Sequence, residues 1–222
     1  MTTKMRFPQQ LLEEISEANK TLRREGLVTS TSGNVSGRDP KTNLVAIKPS
    51  GVDYDKLTPQ MLAIVDLDGR FMAGDGKPSV DLSQHLFLYR HLPEVNSVIH
   101  THSNFATAFA AVGRPIPCCL TAIADEFGTE IPCAPYVDNQ GDNIGEAILK
   151  YRHPRTPAIL LANHGVFTFA ESLHKAVKAA IMVEDVAKTV FYALQMGKPA
   201  ALPPEEIEKW FSRYHTTYGQ SK

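Results

Sequence analysis

Apolar positions recur along this chain first at helical spacing, then at strand spacing, and then in alternation. Leu11, Leu12, Ile15, Ala18 and Leu22 share one helical face, and Gly26 supplies a stop. A polar run follows over residues 29–38, T-S-T-S-G-N-V-S-G-R. Asp39-Pro40 reads as a turn, and residues 44–47 as the second arm of a hairpin. Thr58-Pro59 opens a short helix. Residues 63–67 predict a strand, Asp68-Gly69 a hairpin turn, and residues 70–72 the return. The first third is thus a helix followed by antiparallel hairpins.

Helices and strands then alternate. S-V-D-L-S-Q-H-L-F-L-Y-R-H-L predicts a helix from about Asp81, and a strand follows at Ser97-Val98-Ile99. Ser103 is placed to cap the next helix, F-A-T-A-F-A-A-V, which Gly113 ends. Residues 114–130 carry no clear period, and 131–136 predict a short strand. Ile144, Ala147, Ile148 and Tyr151 mark another helix. A-I-L-L-A, residues 158–162, is a buried-type strand, and residues 166–169 continue that character. Residues 173–194 form the longest helix, with an apolar face broad enough to imply subunit contacts. Pro203-Pro204 starts a last helix that runs to about Arg213. No repeat or linker interrupts the chain, so one α/β/α domain over residues 1–222 is the simplest account.

Composition narrows the class. The chain has 222 residues, 43% of them hydrophobic and 21% charged, as in an ordinary globular protein. A net charge of −1 and a pI of about 6.7 give nucleic acid or an anionic membrane nothing to hold. No apolar run reaches the ~18 residues of a spanning helix. The start lacks a signal-peptide core, and Cys118, Cys119 and Cys133 lack zinc-finger spacing. A cytoplasmic protein with reduced thiols is expected.

Chemistry concentrates at V-I-H-T-H-S. On a strand, Val98, His100 and His102 share a face, with Ile99 and Thr101 on the other. Paired imidazoles bind divalent metals, zinc above all, although H-x-H alone also describes two surface histidines. His164 follows a buried-type strand and precedes a glycine, a costly place for an imidazole with no task. Asp81 can add a carboxylate oxygen. Three histidines with an exchangeable position make a catalytic arrangement rather than a closed structural one. His85, His91, His153, His174 and His215 read as surface or helix-face residues. Gly33-Asn34 and Ser50-Gly51, with Lys48, have the composition of a phosphate site, and equally that of hairpin turns.

T-S-G-N-V-S, I-K-P-S-G-V, K-P-S-V-D, V-I-H-T-H-S, G-T-E-I-P-C-A-P-Y and N-H-G-V-F resemble, in order and spacing, the class II aldolase/adducin family. The resemblance covers nearly the whole chain. It implies a mostly antiparallel sheet between helices, and a Zn2+ ion, or Mn2+ or Co2+, held by Asp81, His100, His102 and His164. It also implies a homotetramer with active sites at subunit interfaces. The implied substrate is a phosphorylated ketose, its phosphate held by Ser32, Gly33, Asn34, Lys48, Ser50, Gly51 and Ser79. Asp81 after K-P-S-x, the A-D-E-F segment and the T-Y-G-Q tail resemble the epimerase branch. That branch interconverts L-ribulose 5-phosphate and D-xylulose 5-phosphate by retro-aldol and aldol steps. Asp125 and Tyr218 match its proton-transfer residues, Tyr218 reaching in from a neighbouring subunit. An aldolase releasing dihydroxyacetone phosphate is the alternative, and C-A-P-Y at residues 133–136 looks more like that branch. Val80 stands where relatives have a phosphate-binding serine. Ile207 stands where the epimerases have a histidine, and Glu126 beside Asp125 leaves two acids to choose between.

Overall fold

A computed structural model describes residues 7–218. The polar run after the first helix, α1 (Gln9–Arg24), becomes the strand β1 (Asn34–Arg38). β2 (Val45–Ile47), β3 (Ala63–Val65) and β4 (Phe71–Ala73) then extend the sheet outward by antiparallel pairing. On the other side of β1 lies β5 (Ser97–Thr101), which carries the H-x-H pair, also antiparallel. β8 (Gly165–Ala170), β7 (Ala158–Leu161) and β6 (Cys133–Ala134) complete the order β4-β3-β2-β1-β5-β8-β7-β6. β6 pairs parallel with β7, so the sheet is mixed; the other pairings are antiparallel. The parallel pair arises because α5 (Asn143–Tyr151) lies between those strands and carries the chain back over a face.

Both faces are covered. α2 (Leu82–His91) and α5 pack on one, where Leu86, Tyr89, Ile144 and Ile148 meet Val98, Ile159 and Phe167. α1 and α6 (Leu173–Met196) cover the other, where Leu22, Ala176 and Ala180 meet Val35 and Ile99. Val98 and Ile99 thus fall on opposite faces, as strand alternation requires. α3 (Asn104–Ala111), α4 (Thr121–Phe127) and α7 (Pro204–Thr216) build an end cluster with the second half of α6. α4 lies within the stretch that showed no period, and an isolated bridge between Ile116 and Ile131 brackets it.

Two local expectations are corrected. Ser103 occupies the N-cap position of α3 but makes no side-chain cap bond. Glu184 of α6 does that work: its carboxylate accepts the N–H groups of Phe105 and Ala106, each at 2.9 Å. A charged acceptor at a helix N-terminus is favoured by the aligned backbone dipoles. His85, expected on a surface or helix face, is fully buried. His91, His153, His174 and His215 are exposed.

Candidate active site

β5 and β8 run side by side, with His100 opposite Phe167. The rings of this pair stack at 4.5 Å between centroids. The turn from β7 to β8 places Asn163 in the left-handed region, φ 59°, and delivers His164 beside the pair. Gly165 makes this approach possible. A Cβ there would lie 2.5 Å from the Thr101 carbonyl oxygen and 2.7 Å from Cδ2 of His102. One ring nitrogen from each of His100, His102 and His164 lies within 4.8 Å of the others.

The environment sets their protonation. His100 is fully buried, and desolvation pushes its pKa down to about 3. Burial also lowers the pKa values of His102 and His164. Neutral rings result at pH 7, the state that binds metals. His100 Nδ1 lies 3.0 Å from the Val166 carbonyl oxygen. A carbonyl can only accept, so Nδ1 carries the proton and Nε2 presents a lone pair. That outer partner fixes the ligand tautomer in the manner of metal-bound histidines. His100 Nε2 and His102 Nε2 converge to 2.9 Å. The donor set fits a zinc-like ion.

Asp81 lies beside the triad rather than within its cluster of nitrogens. Its Oδ2 accepts from Asn34 Nδ2 at 2.7 Å, and Ser79 Oγ lies 3.4 Å away. Burial alone would raise its pKa, but His100, His85 and the Asn34 bond hold it below the ordinary carboxylate value. Asp81 and the three histidines line a cleft of about 360 Å³ together with Ser32, Gly33, Asn34, Lys48, Ser50, Gly51 and Ser79. Thr31, Pro49, exposed Val80 and Asn139 also line it, and of these the sequence marked only Val80.

Asp125 and Tyr218 do not line this cleft in their own chain. Asp125 is half-buried on α4, and desolvation raises its pKa against the opposing charge of Arg213. Tyr218 is exposed, stacks on Tyr214 at 4.9 Å, and has the Arg213 guanidinium 5.9 Å from its ring centre. Arg213 thus lies against Tyr218, and its charge also acts on Asp125. Glu126 points elsewhere: it is buried and ion-paired with Lys178 at 2.7 Å.

His85 sits behind the site. Its Nδ1 lies 2.7 Å from Ser36 Oγ, its Nε2 has no partner among the described residues, and its ring meets Phe167 edge-on at 5.9 Å. Desolvation pushes its pKa down to about 4, with the Asp81 charge opposing. In an unfolded chain a histidine titrates near ~6.5. Between these values the unfolded chain takes up the proton first, so stability is intact above about pH 6.5 and falls as pH drops toward 4. Each such histidine adds on the order of 1.4 kcal/mol per pH unit in that window. Denaturant unfolding of metal-free protein between pH 7.5 and 5 should show this slope, reduced in His85→Gln. An unchanged slope in the variant contradicts the neutral, buried state of His85.

Comparison with known proteins agrees with this geometry. The family model described as "Class II Aldolase and Adducin N-terminal domain" matches residues 13–191. The L-ribulose-5-phosphate 4-epimerase UlaF of Salmonella paratyphi C is 38% identical over 227 residues, 96% of this chain and 99% of that protein. The Salmonella typhi protein of the same name is 37% identical over the same shares. Among solved structures, an L-fuculose 1-phosphate aldolase superposes with a TM-score of 0.86 at 28% identity, covering 96% of this chain and 99% of that one. The L-fuculose-1-phosphate aldolase of Thermus thermophilus gives a TM-score of 0.71 at 25% identity, over 87% and 100%. With the fold, the histidine triad and an end-to-end sequence match in agreement, this chain belongs to the class II aldolase and adducin family.

Proposed function

We propose that this chain is a zinc-dependent L-ribulose-5-phosphate 4-epimerase. The observation that carries the reading is the 38% identity to UlaF over 96% of the chain, above the 28% shared with the L-fuculose 1-phosphate aldolase structure. His100, His102 and His164 would hold the ion, with Asp81 supplying a carboxylate at its edge. When bound there, the ion supplies Lewis-acid stabilisation of charge developing on the ketose oxygens as a carbon–carbon bond breaks. The side chains do the rest. Lys48, Asn34, Ser50 and Ser79, with the backbone at Ser32, Gly33 and Gly51, form the polar end that takes the phosphate. Asp125 and Tyr218 handle the protons that leave and return at the inverted hydroxyl.

Neither Asp125 nor Tyr218 lines the cleft of its own chain, which supports a homotetramer with sites completed across subunit boundaries. Exposed Phe191, Tyr192, Leu194 and Met196 at the end of α6 support burial by another copy. A single working domain in the cytoplasm fits the three free cysteines. Among the described residues, no helix is long and apolar enough to cross a membrane.

A second reading is an aldolase, favoured by the TM-score of 0.86 to an L-fuculose 1-phosphate aldolase. Incubation with L-ribulose 5-phosphate and, separately, L-fuculose 1-phosphate distinguishes the two. The epimerase gives D-xylulose 5-phosphate, an isomer of equal mass. Stoichiometric cleavage of the ketose 1-phosphate, with no isomer formed, removes the epimerase reading and leaves the family assignment intact.

A further inference from the structure

We propose that Tyr54 is a positioning residue that shapes the anion end of the cleft from beneath; the inference rests on the phosphate role proposed for Lys48 and its neighbours. Tyr54 is fully buried, touches no cleft surface, and sits in a single helical turn after the K-P-S-G loop. Its ring lies under the Lys48 ammonium, Nζ standing 4.5 Å from the ring centre. Its hydroxyl lies 2.7 Å from the Ser32 carbonyl oxygen and 2.8 Å from that of Gly33. Lys48 Nζ donates to the carbonyl of Thr31 at 3.1 Å. Three successive carbonyls of the 31–33 loop thus face Lys48 and Tyr54, the single hydroxyl proton being shared between those of Ser32 and Gly33.

The consequence follows from peptide geometry. In a trans peptide the C=O and the next N–H point in opposite directions. Drawing the Ser32 carbonyl onto Tyr54 therefore turns the Gly33 N–H to the opposite side. Among the described residues that N–H has no backbone or side-chain acceptor. Gly33 is held in this pose at φ 74°, where a Cβ would lie 2.8 Å from the His100 carbonyl oxygen. An anion site needs carbonyl dipoles turned away and N–H groups turned in. The Lys48 ammonium, buried with its pKa lowered chiefly by desolvation, needs a partner that does not neutralise it. An aromatic face attracts the cation without offering it an anion. Tyr54 meets both needs, leaving the remaining Lys48 protons for the ligand.

The test uses full-length Tyr54→Phe and Tyr54→Leu, assayed with L-ribulose 5-phosphate and with inorganic phosphate as competing anion. Tyr54→Phe keeps the ring and loses the carbonyl tie. It should raise both KM and the phosphate inhibition constant about 10-fold, the scale of one buried hydrogen bond, with kcat within about 2-fold and metal content unchanged. Tyr54→Leu should raise both constants further. In a Lys48→Met background, Tyr54→Leu should cost no more than Tyr54→Phe does, because the ring has no ammonium left to support and only the carbonyl tie remains to be lost. A folded Tyr54→Phe with both constants unchanged overturns the inference, as does a fall in kcat alone. If phosphate fails to compete with wild type and Lys48→Met leaves KM unchanged, the anion end itself is wrong and Tyr54 falls with it. If Lys48→Met weakens phosphate and Tyr54→Phe does not, only the role of Tyr54 is lost.

Discussion

His164→Ala should purify with little divalent metal, whereas wild type should carry about one ion per chain. Among the described residues, three neutral nitrogens within 4.8 Å are the imidazole set available at this cleft. Removing one leaves two imidazoles and a carboxylate already engaged by Asn34. Loss of a partner outside the coordination sphere typically costs ~10–100-fold in metal affinity, and loss of a direct ligand should exceed that. His100→Ala should act alike, with added disturbance because its ring also stacks on Phe167. Elemental analysis after dialysis against a weak chelator measures the effect. Full occupancy in both variants would discard the centre. Asp81→Asn separates two roles for the carboxylate: lost occupancy makes it a ligand, while retained occupancy with lost turnover makes it a group that orients substrate.

Much of the site was legible because its signals are local. An H-x-H at a strand end puts both rings on one face by alternation alone. N-H-G after an apolar strand announced a polar residue that burial would punish, and Gly165 proves to be the residue that lets the strands close around it. His85 was missed for the opposite reason. Hydrophobic patterning assigns polar residues of a helix to its outer face. α2 breaks the rule by burying Gln84 and His85, whose partners come from distant segments: Gly141 and Gly145 for Gln84, and Ser36 for one ring nitrogen of His85. No local window contains those partners. The same holds for Glu184, which caps a helix 79 residues earlier in the chain. The parallel pairing of β6 depends on a crossover rather than on its two residues. Tyr54 carries no local signal, because its contacts run to a loop that is only placed once β1 and β2 have paired.

Asp125→Asn and Tyr218→Phe should each slow formation of D-xylulose 5-phosphate by ~10²–10⁴-fold, the usual cost of losing a general acid or base. Inversion at the carbinol carbon needs a proton handler on each face of the cleaved aldehyde, so neither residue can replace the other. Both are distant from the ligand set in sequence and absent from the cleft lining, so metal content should stay at the wild-type level. Desolvation already raises the Asp125 pKa. A base whose pKa lies closer to the working pH accepts and returns a proton more readily. The placement of both residues outside their own chain's cleft makes a sharper demand. If each site takes its metal ligands from one subunit and its proton handlers from a neighbour, two inactive variants should rescue one another. Mixed oligomers of His164→Ala and Tyr218→Phe would contain some sites with an intact His164 and an intact Tyr218. Dissociating and reassembling the two variants together should recover activity that neither shows alone. If native mass spectrometry confirms mixed oligomers and no activity returns, Tyr218 does not act across the interface. If the single variants keep the wild-type rate, Asp125 and Tyr218 are not the proton handlers at all.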